Sequence, residues 1–131
     1  MPFLRVDPGV MAEDGDLHHI IKASSKYGGL TVIDAYAVTG GTISAGSGYL
    51  LVLQNYGASG TIAGGTVGSV GGTADPITTV DTPQQFSLTA AQVFLDAGEW
   101  LVLKKVEQGN VDINAENCVI VEYVDGVVTQ G

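Results

Sequence analysis

Apolar residues recur along this chain at every second position, and no stretch sustains the spacing of a long amphipathic helix. Leu30 to Val38 reads Leu-Thr-Val-Ile-Asp-Ala-Tyr-Ala-Val. Strict alternation puts Leu30, Val32, Asp34, Tyr36 and Val38 on one face and Thr31, Ile33, Ala35 and Ala37 on the other. Gly40-Gly41 closes that strand, Thr42-Ile43-Ser44 is a short strand, and Tyr49 to Asn55 is an aromatic-led apolar strand. Gly60 to Gly72 mixes glycine with β-branched residues, which predicts a strand with bends or bulges. Phe86-Ser87-Leu88-Thr89 is a further strand, and Ala90 to Leu95 is the one segment that suits a helical turn. Trp100 to Val106 and Cys118 to Val124 are strong strands, with Asp125-Gly126 as a turn toward a last edge at Val127-Val128-Thr129.

Two of these units are alike. Ala45-Gly46-Ser47-Gly48-Tyr49-Leu50-Leu51-Val52-Leu53 aligns with Ala97-Gly98-Glu99-Trp100-Leu101-Val102-Leu103 after one deletion. The likeness suggests comparable hairpins in two sheets, each aromatic covering a sheet end. Seven or eight short strands with glycine-rich turns predict an all-β fold: an antiparallel β-sandwich, with the jelly roll as one form of it. Residues 1–16, with Pro2, Pro8, Gly9 and an acidic cluster, break the period and read as an extended N-terminal arm. Residues 17–131 then form the sandwich domain, beginning with a strand at Leu17-His18-His19-Ile20-Ile21.

Composition narrows the function classes. With 131 residues, 45% of them hydrophobic and only 15% charged, the chain suits one domain with a real core and is not a disordered sequence. Its mean hydropathy is positive, which suggests that part of its apolar surface is covered by a partner. Five Lys and Arg stand against fourteen Asp and Glu, a net charge of -9. No cation falls between Lys26 and Lys104, so the clustered basic patch that holds phosphate backbones or anionic lipid is missing. Neither nucleic acid nor membrane is expected as a partner. The N-terminus lacks the basic and apolar regions of a secretory signal, and the chain reads as soluble and made in the cytoplasm. The single cysteine, Cys118, precludes an internal disulfide.

The sequence offers little chemistry. The G-x-S-x-G, P-loop, G-x-G-x-x-G, H-E-x-x-H and C-x-x-C patterns are absent, so no catalytic residue and no cofactor is expected. His18 and His19 are adjacent on a strand and point to opposite faces, so a shared metal ion would need a third ligand such as Asp14 or Asp16. One partly buried and one solvated histidine is the simpler reading, and no metal is assigned. Asp112, Asn114 and Glu116 are spaced like the start of a calcium loop, but Asn117 and Tyr123 stand where glycine and a bidentate glutamate belong, and an ordinary acidic loop is favoured. Asp96 and Glu99 beside Trp100 invite a glycosidase reading that two turn residues do not need. Cys118 has no cation nearby in sequence and reads as an inert thiol. Tyr27, Tyr36, Tyr49, Tyr56, Trp100 and Tyr123 suit sandwich ends or a subunit interface, with Tyr49, Tyr56 and Trp100 the interface candidates.

Leu51-Val52-Leu53-Gln54-Asn55-Tyr56-Gly57, the Gly/Thr/Val-rich stretch after it, and Leu95-Asp96-Ala97-Gly98-Glu99-Trp100-Leu101-Val102-Leu103-Lys104 together resemble small structural proteins of tailed bacteriophages. The resemblance covers residues 30–125, is closest to capsid decoration (cement) proteins, and is one of style, so no functional residue carries over by position. It implies a non-enzymatic homotrimer that binds the major capsid protein on the outer surface of the expanded head. Synthesis would be in the host bacterial cytoplasm. In that picture Phe3, Leu4 and Val6 of the arm are the capsid anchor. A receptor- or carbohydrate-binding module of a tail fibre or baseplate is the alternative, and a small jelly-roll enzyme is a third reading that two adjacent histidines support poorly.

Overall fold

The computed structural model describes residues 3–7, 17–38, 48–61, 64–71, 84–108 and 118–126, without the side chains at 48–50, 71, 107 and 108. Among these residues there are ten strands: β1 (Phe3–Val6), β2 (Leu17–Lys22), β3 (Leu30–Val38), β4 (Gly48–Asn55), β5 (Thr66–Gly71), β6 (Gln84–Gln85), β7 (Ser87–Leu88), β8 (Phe94–Leu95), β9 (Trp100–Gln108) and β10 (Cys118–Asp125). They form two five-stranded antiparallel sheets packed as a β-sandwich. One sheet has the order β1-β10-β3-β6 with β8 also on β3, and the other has the order β2-β9-β4-β5-β7.

The pairing is concentric about the β4–β5 hairpin. β3 pairs with β6 and β8, β2 with β9, and β1 with β10. Every other connection between successive described strands passes from one sheet to the other. Residues 84–95 belong to both sheets. Phe86 N donates to Ala35 O at 2.8 Å, Thr89 N donates to Val67 O at 2.8 Å, and a 3-10 turn (Ala90–Gln92) then returns the chain so that Val32 N reaches Val93 O at 2.9 Å. This zigzag closes one side of the sandwich. On the other side β1 and β2 end their sheets, and among the described residues neither has a second strand neighbour.

Leu30, Val32, Ala35, Ala37, Val119 and Val121 from one sheet meet Leu51, Leu53, Val67, Leu101 and Leu103 from the other. Three bulges make that possible, because an extra residue reverses which face later side chains occupy. In β3 the register passes from Val32↔Tyr123 to Asp34↔Glu122, so Ile33 is the extra residue. Leu30 and Val32 point inward before it, Ala35 and Ala37 after it. The strict alternation expected for this strand therefore fails at Ile33, and Asp34 and Tyr36 turn outward instead of following Val32 into the core. Ile20 in β2 and Val67 in β5 are the extra residues of the other two shifts.

Several expectations need correction. The alike segments around Tyr49 and Trp100 are neighbours in one sheet, with Leu53 opposite Leu103, and not hairpins of two sheets. The strand read at 86–89 shortens to Ser87–Leu88, and the segment 90–95, which does hold a helical turn at Ala90–Gln92, ends in a further short strand at Phe94–Leu95. The start of the chain is not wholly a detached arm: residues 3–6 are an edge strand, Val6 is in the core, and Leu4 packs against it. The strands expected at 42–44 and 127–129, and the rest of the arm at 8–16, lie outside the described residues.

Leu53→Ala should lower the unfolding free energy by about 2–5 kcal/mol in a denaturant titration, the usual cost of emptying a core leucine site. Gly29 has φ 119°, and a Cβ there would collide with Leu95 O and stand 2.8 Å from the Phe94 ring. Gly29→Ala should therefore cost about 3 kcal/mol in the same titration, and a variant as stable as the parent would show that the β8–β3 junction is not packed as described.

Candidate functional site

Short, hydrogen-bonded turns close the end of the sandwich where β4 finishes and β9 begins. At the end of β4 the Asn55 side chain spans two turns. Its Oδ1 accepts from Gly57 N at 2.8 Å, and its Nδ2 donates to Glu99 Oε1 at 3.0 Å. The same Glu99 oxygen accepts from Asp96 N at 2.7 Å, while Glu99 N donates to Asp96 O at 3.0 Å. Trp100 N donates to Gly57 O at 3.0 Å and Tyr56 N to Trp100 O at 2.9 Å, so the loop after β4 is fastened to the start of β9. Asp96 and Glu99 are thus the two ends of one turn, with one Glu99 oxygen already engaged twice. They do not face each other across a cleft as a glycosidase pair would.

Beside this turn, the His19 ring meets Trp100 edge-on, with centroids 5.6 Å apart and planes at 86°. His19 Nε2 lies 2.7 Å from Gly60 O. Gly60 is buried with φ 73°, and a Cβ on it would come 3.0 Å from the indole and 3.3 Å from the imidazole. Only glycine lets the loop lie beneath both rings. His18, opposite core Leu103, is half-buried, and His19, opposite Val102, is exposed. Among the described residues no group of three or more His, Cys, Asp or Glu converges as a metal site would require. Asp14, Asp16 and the loop Asp112-Ile113-Asn114-Ala115-Glu116 lie outside the described residues.

Two clefts flank the turn. One, about 510 Å³, is lined by Asn55, Gly57, Ala58, Ser59, Gly64, Gly65 and Glu99. The other, about 460 Å³, is lined by Lys22, Ala23, Ser24, Ser25, Ala97 and Gly98.

A separate polar cluster sits on the outer face of the other sheet. Asp34 accepts from Gln85 Nε2 at 3.0 Å on both oxygens, from Tyr36 OH at 2.7 Å and from Ala35 N at 2.9 Å. Partial burial pushes its pKa up, but the bonds from Gln85, Tyr36 and Ala35 together outweigh burial and bring it below the ordinary 3.8. Tyr36 moves the other way, above 10.0, because its proton is held by Asp34, with desolvation and the charges of Asp34 and Glu122 adding to the effect.

Of the interface and anchor candidates, Phe3 is 64% exposed, whereas Leu4 and Val6 are spent on the core. Tyr56 is 5% exposed and buried by its own chain, so it has almost no surface to offer a neighbour. Trp100 is half-buried against His19, and the Tyr49 side chain lies outside the described residues. Cys118 is half-buried at the start of β10. Tyr27 is 54% exposed, with Lys26 Nζ 5.4 Å from its ring centroid. Sequence reasoning did not single out Asn55, Ser59 or the Asp34–Gln85 pair. Asn-x-Gly after an apolar strand is a turn signal that marks Asn55, but nothing local joins residues 51 positions apart.

Comparisons with known protein families, curated proteins and solved structures found no match to this chain. Among the described residues no helix is long and apolar enough to cross a membrane.

The Asp34–Tyr36 pair gives a pH signature with two edges. A lowered carboxyl pKa stabilises the fold above the unfolded value, and that contribution is lost as pH falls below about 4. A raised tyrosine pKa stabilises below the unfolded value and is lost as pH climbs past about 10. Thermal melts across pH should show Asp34→Asn flattening the acid limb and Tyr36→Phe flattening the alkaline one. Melts whose acid limb is the same with and without Asp34 would contradict the cluster.

Proposed function

We propose that the protein is a non-enzymatic structural component of a tailed-phage virion, a decoration protein that binds the outside of the expanded head as a homotrimer and braces neighbouring capsomers. The observation that carries this reading is the outer edge of β1, which among the described residues has no strand neighbour besides β10 and bears the most exposed large apolar side chain described, Phe3. Soluble proteins usually blunt such edges with charge or proline. Here Arg5 is turned to Asp7, the residue after the strand, at 3.2 Å, so the charge is partly neutralised and the edge stays receptive to an added strand of the major capsid protein. Stabilisation of the head would then be mechanical, through added interface area.

The fold supports the same reading by analogy. Concentric pairing of β1 with β10, β2 with β9, β3 with β6 and β8, and β4 with β5 supports reading the sandwich as a rolled-up hairpin, the jelly roll, an architecture that recurs in viral shells and in lectins. The anchor proposed from residues 1–16 contracts to Phe3 and the β1 edge, because removing all sixteen residues would also strip Val6 from the core.

Native mass spectrometry of the full chain should give a trimer, and the protein should cosediment with expanded heads of the phage that encodes it. Phe3→Asp should weaken that binding by about tenfold or more while leaving the melting temperature unchanged. A monomer that stays in the supernatant with expanded heads would refute the proposal.

A further inference from the structure

The larger of the two clefts at the closed end is built for a ligand that donates hydrogen bonds and carries no negative charge. Among the described residues its only charged lining group is Glu99. That carboxylate is oriented in advance, since Oε1 is held by Asp96 N at 2.7 Å and Asn55 Nδ2 at 3.0 Å. A fixed acceptor pays no further ordering cost when a ligand arrives. Ser59 Oγ, 2.9 Å from Thr61 Oγ1, adds a hydroxyl that can both give and take a bond. Gly57, Gly64 and Gly65 contribute backbone to the lining. At Gly64 a Cβ would come 2.8 Å from Asn55 O, and at Gly65 it would collide with the Gln92 amide, so the loop needs glycine at both positions to pack against Asn55 and Gln92.

We propose that this cleft binds a single hexopyranose unit, with vicinal hydroxyls donating to Glu99 and the ring lying on the Gly57 and Gly64–Gly65 backbone. A sugar ring supplies adjacent donors that one pinned carboxylate can accept together, and its hydroxyls also accept from Ser59. An organic cation is the weaker match, because the carboxylate is already partly compensated by two donors and every other lining group is neutral. The volume, about 510 Å³, falls within the usual range for small-ligand sites of about 300–1,000 Å³. The cleft is at the end of the sandwich remote from the β4 and β9 termini at Gly48 and Gln108, and the inference is independent of the capsid reading.

The test is an amide-resolved NMR titration of the intact protein with the methyl α-D-pyranosides of glucose, mannose and galactose, with N-acetyl-D-glucosamine, and with ethylammonium as a cationic probe. At least one sugar should give saturable shifts at Gly57, Ser59, Gly64 and Gly65, with a Kd on the order of 1–10 mM. Glu99→Gln keeps an oxygen for Asp96 N and should weaken binding about tenfold. Ala58→Trp, at an exposed lining position, should fill the cleft and abolish the shifts while the rest of the spectrum stays folded. Asp34→Asn, on the other sheet, should bind like the parent. The proposal is overturned if no sugar gives saturable shifts up to about 50 mM. It is equally overturned if the shifts persist in Ala58→Trp, or if ethylammonium saturates the same amides at lower concentration than any sugar.

Discussion

The face parity of the strands is the constraint on which the rest of the structure depends. A strand has two sides, and in a two-sheet sandwich only one of them can be inside. This sequence does not keep strict alternation, and it meets the constraint by inserting single residues. Without the bulge at Ile33, the inward series Leu30, Val32 would continue into Asp34 and Tyr36, burying a carboxylate in the apolar centre at heavy cost. With it, Ala35 and Ala37 face inward and Asp34 reaches Gln85 and Tyr36 on the outer face. The bulge at Ile20 does the same for β2. It brings Ile21 opposite core Leu101 and leaves Lys22 opposite Trp100 at the surface. Each inserted residue is aliphatic, so it can lie on either side at little cost.

The same constraint explains what could be read from the sequence and what could not. Period two identifies β3, β4, β9 and β10 almost to the residue, because long strands repeat the signal several times. A bulge leaves no mark of its own. Ile33 fits the alternating pattern as well as it fits the interruption, and only Glu122, 89 positions away, decides. Residues 84–95 were legible only in part, as a strand and a helical turn, for a different reason. They are short strand pieces that answer to two sheets in turn, and pieces of two residues carry no period. The likeness between the segments at 45–53 and 97–103 was real, but its meaning was not. β4 and β9 are adjacent strands in the middle of one sheet, so they share a composition because they share an environment. Val52 and Val102 are buried as well as the inward Leu53 and Leu103.

Lys105 shows how local reading of polar residues fails in the same way. By sequence it is the second of two lysines ending an apolar strand, suited to solvent. By register it lies opposite Leu51 on the inward side, fully buried, while Lys104 beside it is on the outer side. An ammonium group is tolerated in such a place only with polar partners around it. The end of β9 is therefore more than an apolar wall, and specificity in this half of the sandwich has an electrostatic component.

The connections joined at the two ends of the strands differ in charge. The strand registers bring the end of β1, the start of β2, the end of β3, the start of β4, the end of β5, the start of β6, the end of β9 and the start of β10 to one pole. The connections between them, 8–16, 39–47, 72–83 and 109–117, carry Glu13, Asp14, Asp16, Asp75, Asp81, Asp112 and Glu116 and not one Lys or Arg. Half of the fourteen acidic residues thus belong to connections joined at one pole, while Lys22 and Lys26 belong to the other. Phe3 begins β1 at the far end, opposite Glu122 near the close of β10. The most exposed large apolar side chain described therefore stands at the end of β1 away from the acidic connection that follows that strand, so apolar exposure and acidic sequence are separated along the order of the strands.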